Sequence, residues 1–488
     1  MESPARPLHS TTSLCSSCRR GLPAVVVALA DGRVELRKEC PEHGAQRVIL
    51  GQDAGWYEAA RAHLRPVPPS ATAGRPVAHG CPFDCGPCTQ HAQRPTMPIV
   101  TVTSRCDLRC PMCFVHNSPA GAGWSMPTDE FRRVLDTVHR VAAGPDGRVD
   151  VLNLTGGEVT LHPQLLELLA MARDAGVHRV SVCSHGLSLA RDEATVQRLA
   201  ELRVRVALSF DTFDDATDQQ LNGVRSVRRK LEALAALERH GVDVTLIPVL
   251  ARGRNDHEIG RILDLAMASP SVRHVEVHTL TFTGQGGRTF DRSARMSMHD
   301  ALLAVEAHTP WLRRDDFVPH PGAHPLCYHV AYVLLDPAGG PPLSLAALVG
   351  RPALSEALTE RLYLEPTPAL EDALRDAVDR AFTDDGPEAA RATRALRNLL
   401  DALAAADPAE PLRSVERWVK AIYLHSHMDE ETFDTERAAR CCDVNVKPDG
   451  RTVPVCNDNV LYRESERAFV DPPRPVPTLG GDPAVFGR

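Results

Sequence analysis

The sequence predicts an α/β fold: a parallel sheet bent into a partial (βα)6 barrel, with a small metal-binding domain before it and an α+β extension after it. Three observations carry this expectation. Six short apolar runs alternate with helical patterns between Pro98 and Leu280. A loop with the spacing C-x3-C-x2-C, formed by Cys106, Cys110 and Cys113, directly follows the first run. The chain has 14 cysteines, and most of the others fall into clusters on either side of this region. Strand–helix alternation of this length calls for a parallel sheet with right-handed crossovers, whose functional loops gather at the carboxyl ends of the strands.

Taken in order, residues 1–13 read as a disordered lead. From Leu14 to Gly44 the pairs Cys15/Cys18 and Cys40/His43 flank two apolar-rich runs, Ala24–Ala30 and Arg33–Leu36, and Asp31-Gly32 between them signals a tight hairpin. Two hairpin-linked knuckles around one tetrahedral ion are the zinc-ribbon or rubredoxin solution, with zinc favoured by the Cys3His set and iron an alternative. An amphipathic helix is expected over Asp53–Arg65, then a Pro-rich linker over Pro66–Pro76. The segment HGCPFDCGPCTQH follows, where Cys81, Cys85 and Cys88 repeat the C-x3-C-x2-C spacing. It reads as the seat of a second [4Fe–4S] cluster with an undetermined fourth ligand, a zinc knuckle being the alternative.

The barrel strands are expected at Pro98–Val102, Val149–Leu154, Val180–Val182, Val204–Phe210, Val244–Leu250 and Val272–Leu280. The helices between them are expected at Pro127–Ala143, Leu165–Ala175, Asp192–Leu202, Val227–His240 and His257–Ala268. Polar motifs fall just after the strands. Cys106–Cys113 follows the first strand, Gly156-Gly157-Glu158 the second, Ser184-His185-Gly186 the third, and Ser209-Phe210-Asp211 the fourth. Cys183 reads as a small buried hydrophobe. Thr283–Gly287 reads as a flexible Gly-rich loop; no Lys-Ser/Thr follows it, so it is a weak signal for phosphate. Residues 340–420 read as Pro-broken amphipathic helices, a packing insertion or substrate lid.

The tail from His427 to Arg463 carries Cys441, Cys442 and Cys456 around a hairpin signal at Asp449-Gly450, and Cys327 stands alone upstream. These four make a possible four-thiolate set. Adjacent residues of a strand face opposite ways, so Cys441 and Cys442 join one centre only if the backbone turns there. One of them is alternatively the fourth ligand of the Cys81/Cys85/Cys88 cluster, and the assignment stays open.

Three thiolates on one short loop leave one iron of a [4Fe–4S] cluster open to a ligand. With GGEVT at Gly156–Thr160, this resembles the radical S-adenosylmethionine (SAM) superfamily. The residue before the last cysteine is Met112, where an aromatic is commoner in that family. The resemblance implies that the open iron chelates SAM and that reductive cleavage yields a 5′-deoxyadenosyl radical for hydrogen abstraction. It implies that Gly156 and Gly157 let backbone approach the methionine end of SAM, with Glu158 accepting from its ammonium. Ser184 would lie close to SAM, and Ser209 and Asp211 would take the ribose hydroxyls. The order of features narrows the likeness: a CxxC…CPEHG ribbon, GCPFDCGPC, the cysteine loop, then a CC…DGR…C tail. It is similar to the group of class D radical SAM methylases of pterin biosynthesis and tetraether lipid synthases. Carbon–carbon bond formation is therefore expected, most plausibly C-methylation of a small or pterin-like substrate. Lipid alkyl-chain coupling and peptide maturation are the rivals.

The expected organisation is a ribbon domain at 1–65, a cluster-bearing linker at 66–95, the radical SAM core at 96–310 and a cluster-binding extension at 311–488. A length of 488 residues with 43% hydrophobic content suffices for a full core. The net charge of −8 offers no basic face for nucleic acid, and no apolar run is long enough to span a bilayer. With no apolar secretory segment at the N-terminus, a reducing cytoplasm is expected, with a flavodoxin, ferredoxin or reductase as electron donor.

Overall fold

The computed structural model describes residues 5–64, 77–86, 88, 90–144, 146–358, 363–364, 367–383, 386–405, 415–470, 473–474 and 476. The expected Pro-rich linker lies outside them. The six expected barrel strands are present at Met97–Thr103, Val151–Gly156, Arg179–Ser184, Arg205–Ser209, Val244–Ile247 and Val272–Thr279. Each pairs in parallel with its successor in sequence.

The helices between them lie where the apolar periodicity puts them. Thr128–Ala142 buries Phe131, Val134, Leu135, Val138 and Val141, a stripe at i, i+3, i+4 and i+7 that faces the sheet. Some helix starts are set by short acceptors: Asp192 caps Glu193–Glu201, and Ser297 with Asp300 forms a capping box on Met298–His308.

The sheet does not end at these six strands. Val419–His425 adds in parallel beside Val272–Thr279, and Tyr328–Leu334 adds antiparallel beyond it. At the opposite edge Asp443–Val446 pairs in parallel with Met97–Thr103, and Thr452–Pro454 pairs antiparallel with that strand. The extension therefore supplies both flanks. The flanks meet across the open side of the barrel: the Tyr328 hydroxyl donates to Asp443 at 2.7 Å. The helices of residues 340–420 pack their own apolar cluster of Leu345, Leu354, Leu374, Leu396 and Leu399 against Tyr332 and Tyr423.

A buried carboxylate ties the extension to the barrel. Glu416 sits 2.6 Å from Arg179, 2.5 Å from Arg205 and 3.3 Å from His274. Burial alone would raise its pKa, but Arg179 and Arg205 outweigh burial and hold it well below the usual carboxylate range. Its contribution to stability is thus present above that range and lost as pH falls toward the depressed value. Glu416→Ala leaves two buried guanidinium groups unmatched and is expected to cost about 3–5 kcal/mol in urea unfolding. Cys or iron content should not change.

The N-terminal segment corrects one expectation. Arg6–Leu14 is a strand rather than a disordered lead, paired antiparallel with Gly21–Ala28. Its polar HSTTS sequence faces half outward, and its partner, not its own composition, fixes it. With Val34–Cys40 and Gly44–Gly51 it completes a four-stranded sheet. Gly32, at φ +86°, makes the expected turn. The sheet docks on the C-terminal segment: the buried Lys38 ammonium donates to the carbonyls of Glu430 and Glu431 at 2.9 and 2.8 Å. Arg19 donates to the Val460 carbonyl at 3.0 Å and pairs with Glu464 at 2.9 Å.

Candidate functional site

A cavity of about 280 Å³ opens among the carboxyl ends of the barrel strands. Cys106, Cys110 and Cys113 line it together with Gly156, Gly157, Glu158, Cys183, Ser184, Ser209 and Asp211. The described residues of the 340–420 insertion do not line it.

The cysteine loop is held from below by the strand after it. Gly157 N–H donates to the Thr103 carbonyl at 3.0 Å, and Glu158 N–H to the Arg105 carbonyl at 2.8 Å. A Cβ on Gly156 would stand 2.3 Å from the Thr103 oxygen, and one on Gly157 2.3 Å from the Arg105 oxygen and 2.7 Å from Cys106 Cβ. The double glycine is thus required by the cysteine loop itself. Burial pushes the Cys106 thiol up to about 12, with Glu158 and Cys113 adding to it. Burial likewise raises Cys110 and Cys113. Such thiols keep their protons until a cation displaces them, as a cluster does.

The same loop is held from above by a segment that sequence reading left as a flexible loop. Gly286 and Gly287 N–H groups both donate to the Cys113 carbonyl, at 3.0 and 2.9 Å. The Gln285 side chain accepts from Asn117 N–H at 2.9 Å. A Cβ on Gly284 would meet Phe114 backbone at 2.2 Å, and one on Gly286 would meet the Cys110 oxygen at 2.4 Å. The Gly-rich segment is a clamp, and its glycines are where the two backbones touch.

Glu158 is 1% exposed and fully engaged. It accepts from Thr160 N–H and hydroxyl, from the Ser184 hydroxyl at 2.8 Å and from His185 N–H at 2.9 Å. It laces the ends of the second and third strands. Asp211 is similarly committed, accepting from Asn222 at 2.8 Å and from Val249 N–H at 2.9 Å, with Lys230 at 3.4 Å. Ser209 faces the cavity from the end of the fourth strand. Cys183 lines the cavity beside Asn153, whose amide donates to its sulfur at 3.4 Å.

The ribbon brings Cys15, Cys18, Cys40 and His43 together, with all four ligand atoms within 4.8 Å of one another. The Cys18 and Cys40 sulfurs are 3.9 Å apart, and His43 Nδ1 lies 3.6 and 3.4 Å from those of Cys15 and Cys40. Gln46 donates to the Cys15 sulfur at 3.1 Å. A closed set of soft donors at these separations fits one tetrahedral zinc.

Cys81 and Cys85 pack in one apolar cluster with Cys456, Met428, Phe433 and Tyr462. Cys88 lies close enough to raise both of their thiols, after burial. Asn457 donates to the Cys85 sulfur at 3.0 Å. Cys327 and Cys456 meet around the Arg437 guanidinium, which donates to Cys327 at 3.2 Å. Cys441 is influenced by both. Cys442 turns the other way, into the apolar cluster beneath the helical insertion. Three of the four C-terminal cysteines therefore share a neighbourhood, and Cys441 and Cys442, which lie just before the strand Asp443–Val446, part company.

Sequence reasoning missed a group on the cavity floor: Glu276, His278, Tyr328, His425, His427 and Asp443. Glu276 and His278 share one strand face, which their i, i+2 spacing could have signalled. The others come from the extension, where no local motif marks them.

Comparison with known proteins agrees with this geometry. Residues 100–266 match the radical SAM superfamily, and residues 7–51 match the HMPTM N-terminal zinc ribbon domain. A 7,8-dihydro-6-hydroxymethylpterin dimethyltransferase of Methanocaldococcus jannaschii is 26% identical, over 95% of this chain and 96% of that protein. A PqqA peptide cyclase of Granulibacter bethesdensis is 27% identical over 38% of this chain and 48% of its own. Among solved structures, Streptococcus suis SuiB is 19% identical, covers 44% of this chain and 46% of its own, and has a TM-score of 0.36. No described helix is long and apolar enough to cross a membrane. The chain carries a radical SAM domain behind an N-terminal zinc ribbon domain and is an enzyme of [4Fe–4S] and SAM chemistry.

Proposed function

We propose that the enzyme forms carbon–carbon bonds by C-methylation of a pterin-like heterocycle. The observation that carries this is the nearly end-to-end match to a dihydropterin dimethyltransferase, ribbon and extension included. In this reading Cys106, Cys110 and Cys113 hold the cluster whose fourth iron takes SAM. When bound, that pair supplies reductive cleavage of SAM and hydrogen abstraction from unreactive carbon. The residues of the chain do the rest. Gly156, Gly157 and the 283–287 clamp fix the cysteine loop. Glu158, with the Ser184 hydroxyl bonded to it, and Asp211 hold the strand ends, and Ser209 faces the cofactor.

Asn153, Glu276, Asp443 and Asn445 bring amides and carboxylates to a cavity whose lining is otherwise mainly apolar, a combination that suits a flat heterocycle with ring N–H and carbonyl groups. Cys81, Cys85 and Cys88, with partners among Cys327, Cys441, Cys442 and Cys456, are assigned to auxiliary clusters. Those clusters would pass electrons between a flavodoxin- or ferredoxin-type donor and the site. The segments 1–65, 66–95, 96–310 and 311–488 then correspond to ribbon, auxiliary ligands, SAM core and floor.

The test is anaerobic turnover of the reconstituted enzyme with SAM, a one-electron reductant, a methylene-folate-type donor and 6-hydroxymethyl-7,8-dihydropterin. Mass spectrometry should show 5′-deoxyadenosine together with pterin carrying one or two added methyl groups. SAM cleavage with no change in the pterin, and coupling of a long-chain lipid instead, would overturn the reading.

A further inference from the structure

Three histidines converge at the floor of the cavity from two neighbouring parallel strands. His278 and His425 are register partners at the ends of Val272–Thr279 and Val419–His425, and His427 lies two residues beyond. Their ring centroids are 5.0, 5.1 and 3.9 Å apart, and their ligand nitrogens all fall within 4.8 Å of one another. All three line the cavity.

The surroundings are those of metal-ligating imidazoles. Glu276 accepts from His278 Nε2 at 3.1 Å and from His425 Nδ1 at 3.2 Å, both on the same oxygen. With the protons on those nitrogens, His278 Nδ1 and His425 Nε2 carry lone pairs. A carboxylate on the far nitrogen of a histidine is the usual support of a metal ligand, and here one carboxylate serves two. The rings are also fixed by stacking. Tyr328 lies 3.8 Å from His425, and Phe114, the residue after Cys113, lies 5.3 Å from His427. The contacts on the cavity side are longer than those to Glu276: Asp443 is 3.7 Å from His425 Nε2, and the Cys456 sulfur is 3.7 Å from His427 Nδ1.

We propose that His278, His425 and His427 form a site for one divalent transition-metal ion of the zinc or ferrous class, with Glu276 orienting two of the ligands. Three neutral imidazoles suit such an ion, and three protein ligands leave a coordination position for an oxygen or nitrogen donor. That position faces the cavity, so the ion would bind a carbonyl oxygen or ring nitrogen of the occupant and polarise it. Its ligands are distinct from those of the ribbon and of the Cys106–Cys113 loop, it borders Cys456 of the C-terminal cysteines, and it stands whichever substrate the cavity takes.

The test reads metal, not turnover. Reconstituted holoenzyme is equilibrated with zinc, washed, and assayed for zinc, iron and sulfide, with X-ray absorption at the zinc edge. About two zincs per chain are expected, one in the ribbon and one at the histidines. His278→Gln/His427→Gln should bind about one, with iron and sulfide unchanged and the edge spectrum reduced to the sulfur-rich ribbon. Glu276→Gln should retain the site but weaken zinc about 10–100-fold in chelator competition. Equal zinc and identical edge spectra in wild type and the double variant would overturn the proposal. If the double variant also loses iron, Glu276→Gln decides: unchanged zinc affinity overturns the site.

Discussion

Replacing Cys106, Cys110 and Cys113 together by alanine is expected to remove about four irons and four sulfides per chain and to abolish SAM cleavage. These thiols share one cavity with the double glycine, and burial raises all three. About one zinc should remain, because the ribbon's four ligands lie in a separate sheet. Iron at the other cysteine clusters should remain as well, so wild type is expected to hold about eight or more. Only about four irons in wild type, all lost in the triple variant, would remove the auxiliary clusters from the reading.

The second large effect is expected from glycines whose nearest neighbours are backbone carbonyls. Gly157→Ala places a methyl 2.3 Å from the Arg105 carbonyl, and Gly286→Ala places one 2.4 Å from the Cys110 carbonyl. Neither neighbour is a flexible side-chain end, so the cysteine loop itself must shift. Overpacking of this kind costs about 1–3 kcal/mol in ordinary cores, and a loop that must present three thiolates tolerates displacement poorly. Each variant should melt lower and hold clearly less iron after anaerobic reconstitution. Gly121→Ala is the control: a Cβ there meets nothing within 4 Å, so a change within about 0.5 kcal/mol and full iron content are expected. Full iron in Gly157→Ala and Gly286→Ala would show that the clamp does not position the ligands.

The barrel was legible because its signals are local. Each strand from Met97–Thr103 to Val272–Thr279 is a short apolar run followed by a polar turn, and each helix repeats its apolar stripe. The cysteine loop and the ribbon were legible for the same reason, since their ligand spacings sit within a few residues. What escaped reading depends on distant partners. Arg6–Leu14 is polar and becomes a strand only against Gly21–Ala28. Gly284, Gly286 and Gly287 look like flexibility until the Cys110–Val115 backbone is laid against them. Tyr328–Leu334 and Val419–His425 are rich in aromatic and β-branched residues and deserved assignment as strands. Their place beside Val272–Thr279, which puts His425 next to His278, has no counterpart in any local pattern.

The pairing of Asp443–Val446 with Met97–Thr103 has a consequence for biosynthesis. During translation the first barrel strand emerges long before the strand that covers its outer edge. Until the tail is made, Met97–Thr103 presents an open row of amides and carbonyls to other chains, with a cysteine loop at its tip. The ribbon, whose four strands are contiguous, can fold on the ribosome as soon as it appears. The barrel, by contrast, waits for residues near the end of the chain. Chains cut short before Asp443 should therefore aggregate rather than accumulate as a smaller soluble core, and cluster insertion belongs after release of the full polypeptide.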